Sequence, residues 1–232
     1  MTIRLLLADD HSAVRAGLRV LLDDADDIVI VGEAGDGVEA VELSARVRPD
    51  IVLLDVQMPR MSGVEATSAL VAQTDGPRVI ILTTFAIDRY VDEALAAGAS
   101  AFLVKTVSSG ALVDAIRRVH AGEAVLAPEV TRRVIERLTS GLVPEAPAPV
   151  PVPRESFRGL DQLTPRETEV LSLMGAGLSN ADIAATLVLS EATARTHVSR
   201  VLAKLGVASR VQAAIIAHRA GIARDSLGTP PA

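Results

Sequence analysis

The chain of 232 residues contains no cysteine and no tryptophan, and aromatic residues make up only 2% of it. The lack of cysteine removes disulfides, thiolate metal sites and cysteine nucleophiles, and it fits a reducing cytosol. The shortage of rings argues against a single-strand nucleic-acid binder built on base stacking. Long apolar runs are missing too. Although 49% of residues are hydrophobic, no stretch of about 18 residues is both uncharged and uniformly apolar. No membrane span is expected, so the apolar residues belong to buried strands and helices. The opening Met1-Thr-Ile-Arg-Leu-Leu-Leu-Ala-Asp9-Asp10 places two acids after a short apolar run, unlike a secretory leader. A cytoplasmic location is the expectation. Lysine is also scarce: only Lys105 and Lys204 are lysine, and every other basic residue is arginine.

What is present divides in two. Residues 1–122 carry 11 basic and 18 acidic residues, a net charge of −7, whereas residues 160–232 carry 7 and 6. An acidic first half repels phosphate backbones unless a cation intervenes, while a near-neutral second half can still present a basic face. Residues 123–159 join them as a connecting helix and linker, with five prolines between Gly141 and Pro153. So much proline prevents helix or sheet and predicts an extended, semi-rigid spacer. The sequence therefore reads as domains over 1–122 and 160–224, with a tail over 225–232.

Apolar runs rich in β-branched residues occur at 3–8, 28–33, 51–54, 79–82 and 101–104. They alternate with segments of helical period at 13–22, 38–45, 64–72, 87–97 and 110–121. Five such units predict an α/β doubly wound five-stranded parallel sheet. Ligands gather beyond the carboxyl ends of the strands in such sheets. Here those positions hold Asp9, Asp10, Asp55, Thr83, Thr84 and Lys105. Three converging carboxylates repel one another unless a hard, oxygen-seeking divalent cation such as Mg²⁺ neutralises them. The Thr83 hydroxyl and the compact Lys105 ammonium suit an anion held against a metal-bound carboxylate, and that anion would be phosphoryl. Taken singly, the acids could cap helices, Thr83 could be an ordinary strand-end hydroxyl and Lys105 a solvated charge. Their joint placement on four strand ends favours the functional reading. The segment Gly32-Glu-Ala-Gly35-Asp-Gly37 lacks the dinucleotide-binding order and follows the second strand, so it is set aside.

These residues resemble a known family. Asp9-Asp10, Asp55-Val-Gln57-Met-Pro59 with Gly63, Thr83, and Phe102-Leu-Val-Lys105 look like the motif set of the two-component receiver domain, a flavodoxin-like fold, over residues 1–122. The resemblance implies that Asp55 accepts phosphoryl from a sensor histidine kinase. It implies that Asp9, Asp10, Asp55 and the Gln57 backbone carbonyl hold Mg²⁺, that Lys105 pairs with the phosphate, and that Thr83 and Phe102 form the switch. Many receivers have proline after the lysine, where this chain has Thr106.

The second half spells out four capped helices. Thr164-Pro165-Arg-Glu167 opens one to about Ala176, Ser179-Asn-Ala-Asp182 one to Leu187, Ser190 one to Leu205, and Ser209-Arg-Val-Gln212 a fourth. In the third, Ala194, Val198, Val201, Leu202 and Leu205 make an apolar face, leaving Arg195, Thr196, Ser199, Arg200 and Lys204 on exposed surface. That surface could be a solvated face or a groove-reading one, and the short turn before Ser190 suits an all-α helix-turn-helix domain. Leu163-Thr-Pro-Arg-Glu167, Gly177-Leu-Ser-Asn180-Ala-Asp182, Ser190-Glu-Ala-Thr193, Arg195-Thr-His197-Val and Lys204-Leu resemble the LuxR-type DNA-binding domain. By that resemblance Arg195, Thr196 and Ser199 face base edges of double-stranded DNA, while Thr193, Arg200 and Lys204 meet phosphates. The fourth helix would support a homodimer on activation.

Both halves together are similar to the NarL/FixJ class of response regulators. Asn180 and His197 read as packing or capping residues, and four scattered histidines give no metal site by themselves. A phosphoaspartate hydrolase of the haloacid-dehalogenase kind is the competing class. It needs a second aspartate two residues after the nucleophile, where this chain has Gln57. A third class is a constitutive DNA-binding protein whose receiver serves only dimerisation.

Overall fold

The computed structural model describes residues 2–73, 75–83, 88–126 and 159–223. The chain forms two compact units divided between Val130 and Thr131. In the first, β1 (Ile3–Ala8), β2 (Ile28–Ala34), β3 (Ile51–Asp55), β4 (Arg78–Thr83) and β5 (Ala101–Val104) alternate with five helices. These are α1 (Ser12–Leu22), α2 (Gly37–Val47), α3 (Gly63–Val71), α4 (Asp88–Ala96) and α5 (Ser109–His120). All the strands pair in parallel in the order β2-β1-β3-β4-β5, as the alternation of strand and helix predicts.

A sixth strand, β6 (Val125–Leu126), lies beside β5 within the first compact unit. Two residues are too few to show a period, and β6 exists because residues 101 and 102 offer it a parallel edge. The proline-rich stretch and the tail from 225 fall outside the described residues.

β1 and β3 read as continuous apolar runs because both faces of the sheet are covered. Leu5, Leu6, Leu7, Ile51, Val52, Leu53 and Leu54 are all buried. On one face Leu18 and Leu22 of α1 and Leu112, Ile116 and Val119 of α5 join Leu5, Leu7, Leu53 and Ile80 in one core. Each such side chain contributes about 1.5–3 kcal/mol on burial. Ser62 and Glu65 close a capping box at the start of α3, and Asp36 caps α2 through the Glu39 amide.

The second unit begins with a 3₁₀ turn at Leu160–Gln162 and continues through α6 (Pro165–Gly175), α7 (Asn180–Leu187), α8 (Glu191–Leu205) and α9 (Arg210–Arg219). The expected starts are all present. Capping boxes form at Thr164 with Glu167, Ser179 with Asp182 and Ser209 with Gln212, while Ser190 accepts from the Thr193 amide. Each cap is worth about 1 kcal/mol. Val170, Leu171, Ile183, Val198, Val201, Ala213 and Ala217 form the core, so the apolar face of α8 is turned inward as its spacing required.

Candidate functional site

The strand order of the first unit reverses between β1 and β3, which is where a crevice opens at the carboxyl ends. Asp9 directly follows β1, Asp55 ends β3, Thr83 ends β4 and Lys105 directly follows β5. Asp9, Asp55 and Thr83 are buried. The Lys105 amide donates to the Thr83 carbonyl at 2.7 Å, fixing the lysine at the rim. Its ammonium then reaches back to Asp9 Oδ2 at 2.6 Å and Asp55 Oδ1 at 3.1 Å. The repulsion expected of converging carboxylates is thus relieved by a lysine.

Burial pushes the Asp55 carboxyl above the usual aspartate range, against the pull of the Lys105 ammonium, and the Asp9 charge adds to the rise. Burial also disfavours the charge on Lys105. Hydrogen bonds to Asp9 and Asp55 outweigh it and hold the ammonium protonated above its ordinary range. The pocket therefore keeps a firm positive charge beside a carboxylate that is strained in its ionised form.

The loop from Asp55 to α3 folds tightly over the pocket. A Cβ on Gly63 would lie 2.0 Å from the Asp55 carbonyl oxygen, so only glycine allows this approach. The Gly63 amide bonds the Val56 carbonyl at 2.8 Å. Arg60 sits at φ 63° and is pinned by its guanidinium to the buried Asp36 carboxylate, with Nε at 2.7 Å. The side chain of Gln57 donates to the Tyr90 hydroxyl at 3.2 Å. Nothing in the sequence signalled the Arg60–Asp36 link, which joins residues 24 apart. Phe102 is fully buried.

His11 lies beside the two acidic residues that follow β1. Its amide donates to Asp9 Oδ1 at 2.9 Å, and its Nδ1 lies 2.6 Å from Asp10 Oδ1. Single ligand atoms from Asp9, Asp10 and His11 all fall within 4.8 Å of one another. A set rich in carboxylate oxygen suits a hard divalent cation, so the residues present fit Mg²⁺.

On α8, Thr193, Arg195, Thr196, Ser199 and Arg200 are exposed as the spacing predicts. Arg195 is held by Glu191 one turn earlier at 3.1 Å. The hydroxyls of Thr196 and Ser199 donate to the carbonyls of Ala192 and Arg195. Arg200 makes no hydrogen bond or ion pair among the described residues.

Lys204 is engaged within the unit: its side chain keeps 33% exposure, while its ammonium donates to Glu167 Oε2 at 2.6 Å and to the Gln162 carbonyl at 3.0 Å. The reason lies in the fold, since the capping box of α6 brings the Glu167 carboxylate against the last turn of α8. That carboxylate, bonded first by Lys204 and then by the Thr164 amide, is held down at about 2.

Comparison with known proteins identifies both units. A family model described as the response regulator receiver domain matches residues 5–117, and one described as bacterial regulatory proteins, luxR family, matches residues 161–217. The transcriptional regulatory protein LiaR of Bacillus subtilis (strain 168) is 39% identical over 217 residues, covering 94% of this chain and 97% of its own length. The response regulator protein VraR of Staphylococcus aureus (strain NCTC 8325 / PS 47) is 36% identical over 219 residues, covering 94% and 98%. The crystal structure of the response regulator ChrA, from a heme-sensing two-component system, matches with 38% identity and a TM-score of 0.51 over 95% of this chain and 98% of its own. The chain belongs to the two-component response regulators that join a receiver to a LuxR-type DNA-binding domain, and it is a phosphorylation-dependent regulator of transcription, not an enzyme.

Proposed function

We propose that Asp55 is the phosphoacceptor and that a sensor histidine kinase is the donor. The observation that supports this reading is the half-buried Lys105 ammonium bridging Asp9 and Asp55, a cation that could meet phosphoryl oxygens on Asp55. An Asp55 carboxylate oxygen attacks phosphorus, the P–N bond to the kinase histidine breaks, and the imidazole leaves with the bonding electrons. Asp9, Asp10 and the Gln57 backbone carbonyl would hold Mg²⁺ with Asp55, and the ion would neutralise phosphoryl charge during transfer. Lys105 then exchanges its Asp55 contact for a phosphoryl oxygen. The Thr83 hydroxyl turns toward the phosphoryl group, and Phe102 repacks behind it.

The readout is DNA. Arg195, Thr196 and Ser199 face base edges, while Thr193 and Arg200 meet phosphates. Lys204 acts as a strut between α8 and α6, because its ammonium is already engaged. Phosphorylation adds about two negative charges to a half that is already acidic, so its effect on DNA affinity must come through geometry. Release of the recognition helix and pairing of two chains across two half-sites supply it. Such a protein works in the cytoplasm.

The test of the acceptor is direct. A small phosphodonor with Mg²⁺ should label the wild-type chain and leave Asp55→Asn unlabelled. Labelling that persists on another residue would remove Asp55 from its role.

A further inference from the structure

His197 lies on α8, one turn after Thr193 and three residues before Arg200, so it falls on the stripe assigned to the DNA backbone. Its ring is half-buried, and Nδ1 is sealed from solvent with no hydrogen-bond partner. Among the described residues no bond to Nε2 exists either, and Nε2 is not sealed in the same way.

This geometry favours one tautomer. A proton on Nδ1 would be a buried donor without an acceptor, which is the more costly arrangement, whereas a buried lone pair merely goes unused. The proton of the neutral ring therefore belongs on Nε2. That leaves one N–H donor on the half-exposed ring, held by the packing of a helix whose Ala194, Val198 and Val201 are buried.

We propose that His197 is a DNA-contacting residue that donates its Nε2–H to a backbone phosphate. It takes the place on the stripe that Lys204, tied to Glu167, does not fill. This rests on the DNA-binding reading above and adds a contact to it. The contact is unlike that of Arg200 in one respect. In an assay at about pH 8, where an imidazole donor carries no charge, it releases no counterion from DNA, so it strengthens binding to every sequence without steepening the salt dependence.

The experiment is fluorescence anisotropy of the full chain on a specific and an unrelated duplex across a salt series, with His197→Phe and His197→Gln. Phenylalanine keeps the packing and loses the donor. Glutamine keeps an N–H at similar reach. His197→Phe should weaken both duplexes by about five- to tenfold with an unchanged salt slope, and His197→Gln should restore most of that loss. A Phe variant that binds like wild type overturns the proposal and leaves DNA binding standing. So does a Gln variant as weak as Phe, or a Phe variant whose salt slope falls by about one unit, the mark of a lost cation. A wild-type chain that binds no duplex overturns the DNA reading and this contact together.

Discussion

Lys105→Met keeps most of the volume of the side chain and removes the charge that bridges Asp9 at 2.6 Å and Asp55 at 3.1 Å. Both carboxylates are then left buried beside each other without a cation. Removing one partner of a buried ion pair destabilises by about 3–5 kcal/mol. The Lys105 side chain keeps 13% exposure, so some water reaches the site, and the lower end, about 3 kcal/mol, applies. At roughly 3–5 °C per kcal/mol for a unit of this size, the receiver transition should fall by about 10 °C. Differential scanning calorimetry of the full chain in EDTA reads this directly. Added Mg²⁺ supplies the missing positive charge and should contribute about 2.7 kcal/mol at 100 times its Kd. The variant should recover more than wild type, because in wild type the metal must displace an ammonium already in contact with both carboxylates. A variant that melts with wild type in EDTA, or whose deficit is untouched by Mg²⁺, would show that the ammonium is not what neutralises the pocket.

Other expectations follow from the same geometry. Glu167 is held at about 2 against an ordinary value of 4.5, so its contribution to the helical unit is present above pH 4.5 and lost as pH falls from there toward 2. Urea unfolding across that window should show an acid limb that Glu167→Gln flattens; an unchanged limb would place the titration elsewhere. Gly63→Ala sets a Cβ against the Asp55 carbonyl oxygen and should slow labelling by a small phosphodonor about 10- to 100-fold, while far-ultraviolet circular dichroism stays native. Labelling at the wild-type rate would mean that the loop shifts freely. Arg200→Ala should flatten the salt dependence of DNA binding by about one unit, whereas Arg195→Ala should lose about 1–3 kcal/mol of discrimination between sequences. Anisotropy on matched and mismatched duplexes separates the two, and interchanged effects would reverse the assignments.

Much of this was legible in the residues, for reasons that differ between the halves. In the receiver, strands buried on both faces must be apolar throughout, so β1 and β3 announced themselves and their ends marked the pocket. In the helical unit the starts were written as Ser or Thr followed three residues later by Glu, Asp or Gln, and each such box formed. The Lys204–Glu167 pair was not legible because helical spacing reports which face a residue occupies but not what another helix brings against it. Glu167 lies 37 residues away. The same blindness to distant partners hid the Arg60–Asp36 link. β6 was missed because a two-residue strand is defined by its neighbour and not by its own sequence.

The central claim, that phosphoryl on Asp55 governs DNA binding, is met by one titration. Full-length wild type and Asp55→Asn are each bound to an operator duplex, with and without a small phosphodonor and Mg²⁺, and Kd is read by anisotropy. The phosphodonor should tighten wild-type binding, despite the added negative charge, and leave Asp55→Asn unchanged. Equal tightening in both chains, or no tightening in wild type that is shown to be phosphorylated, would contradict it.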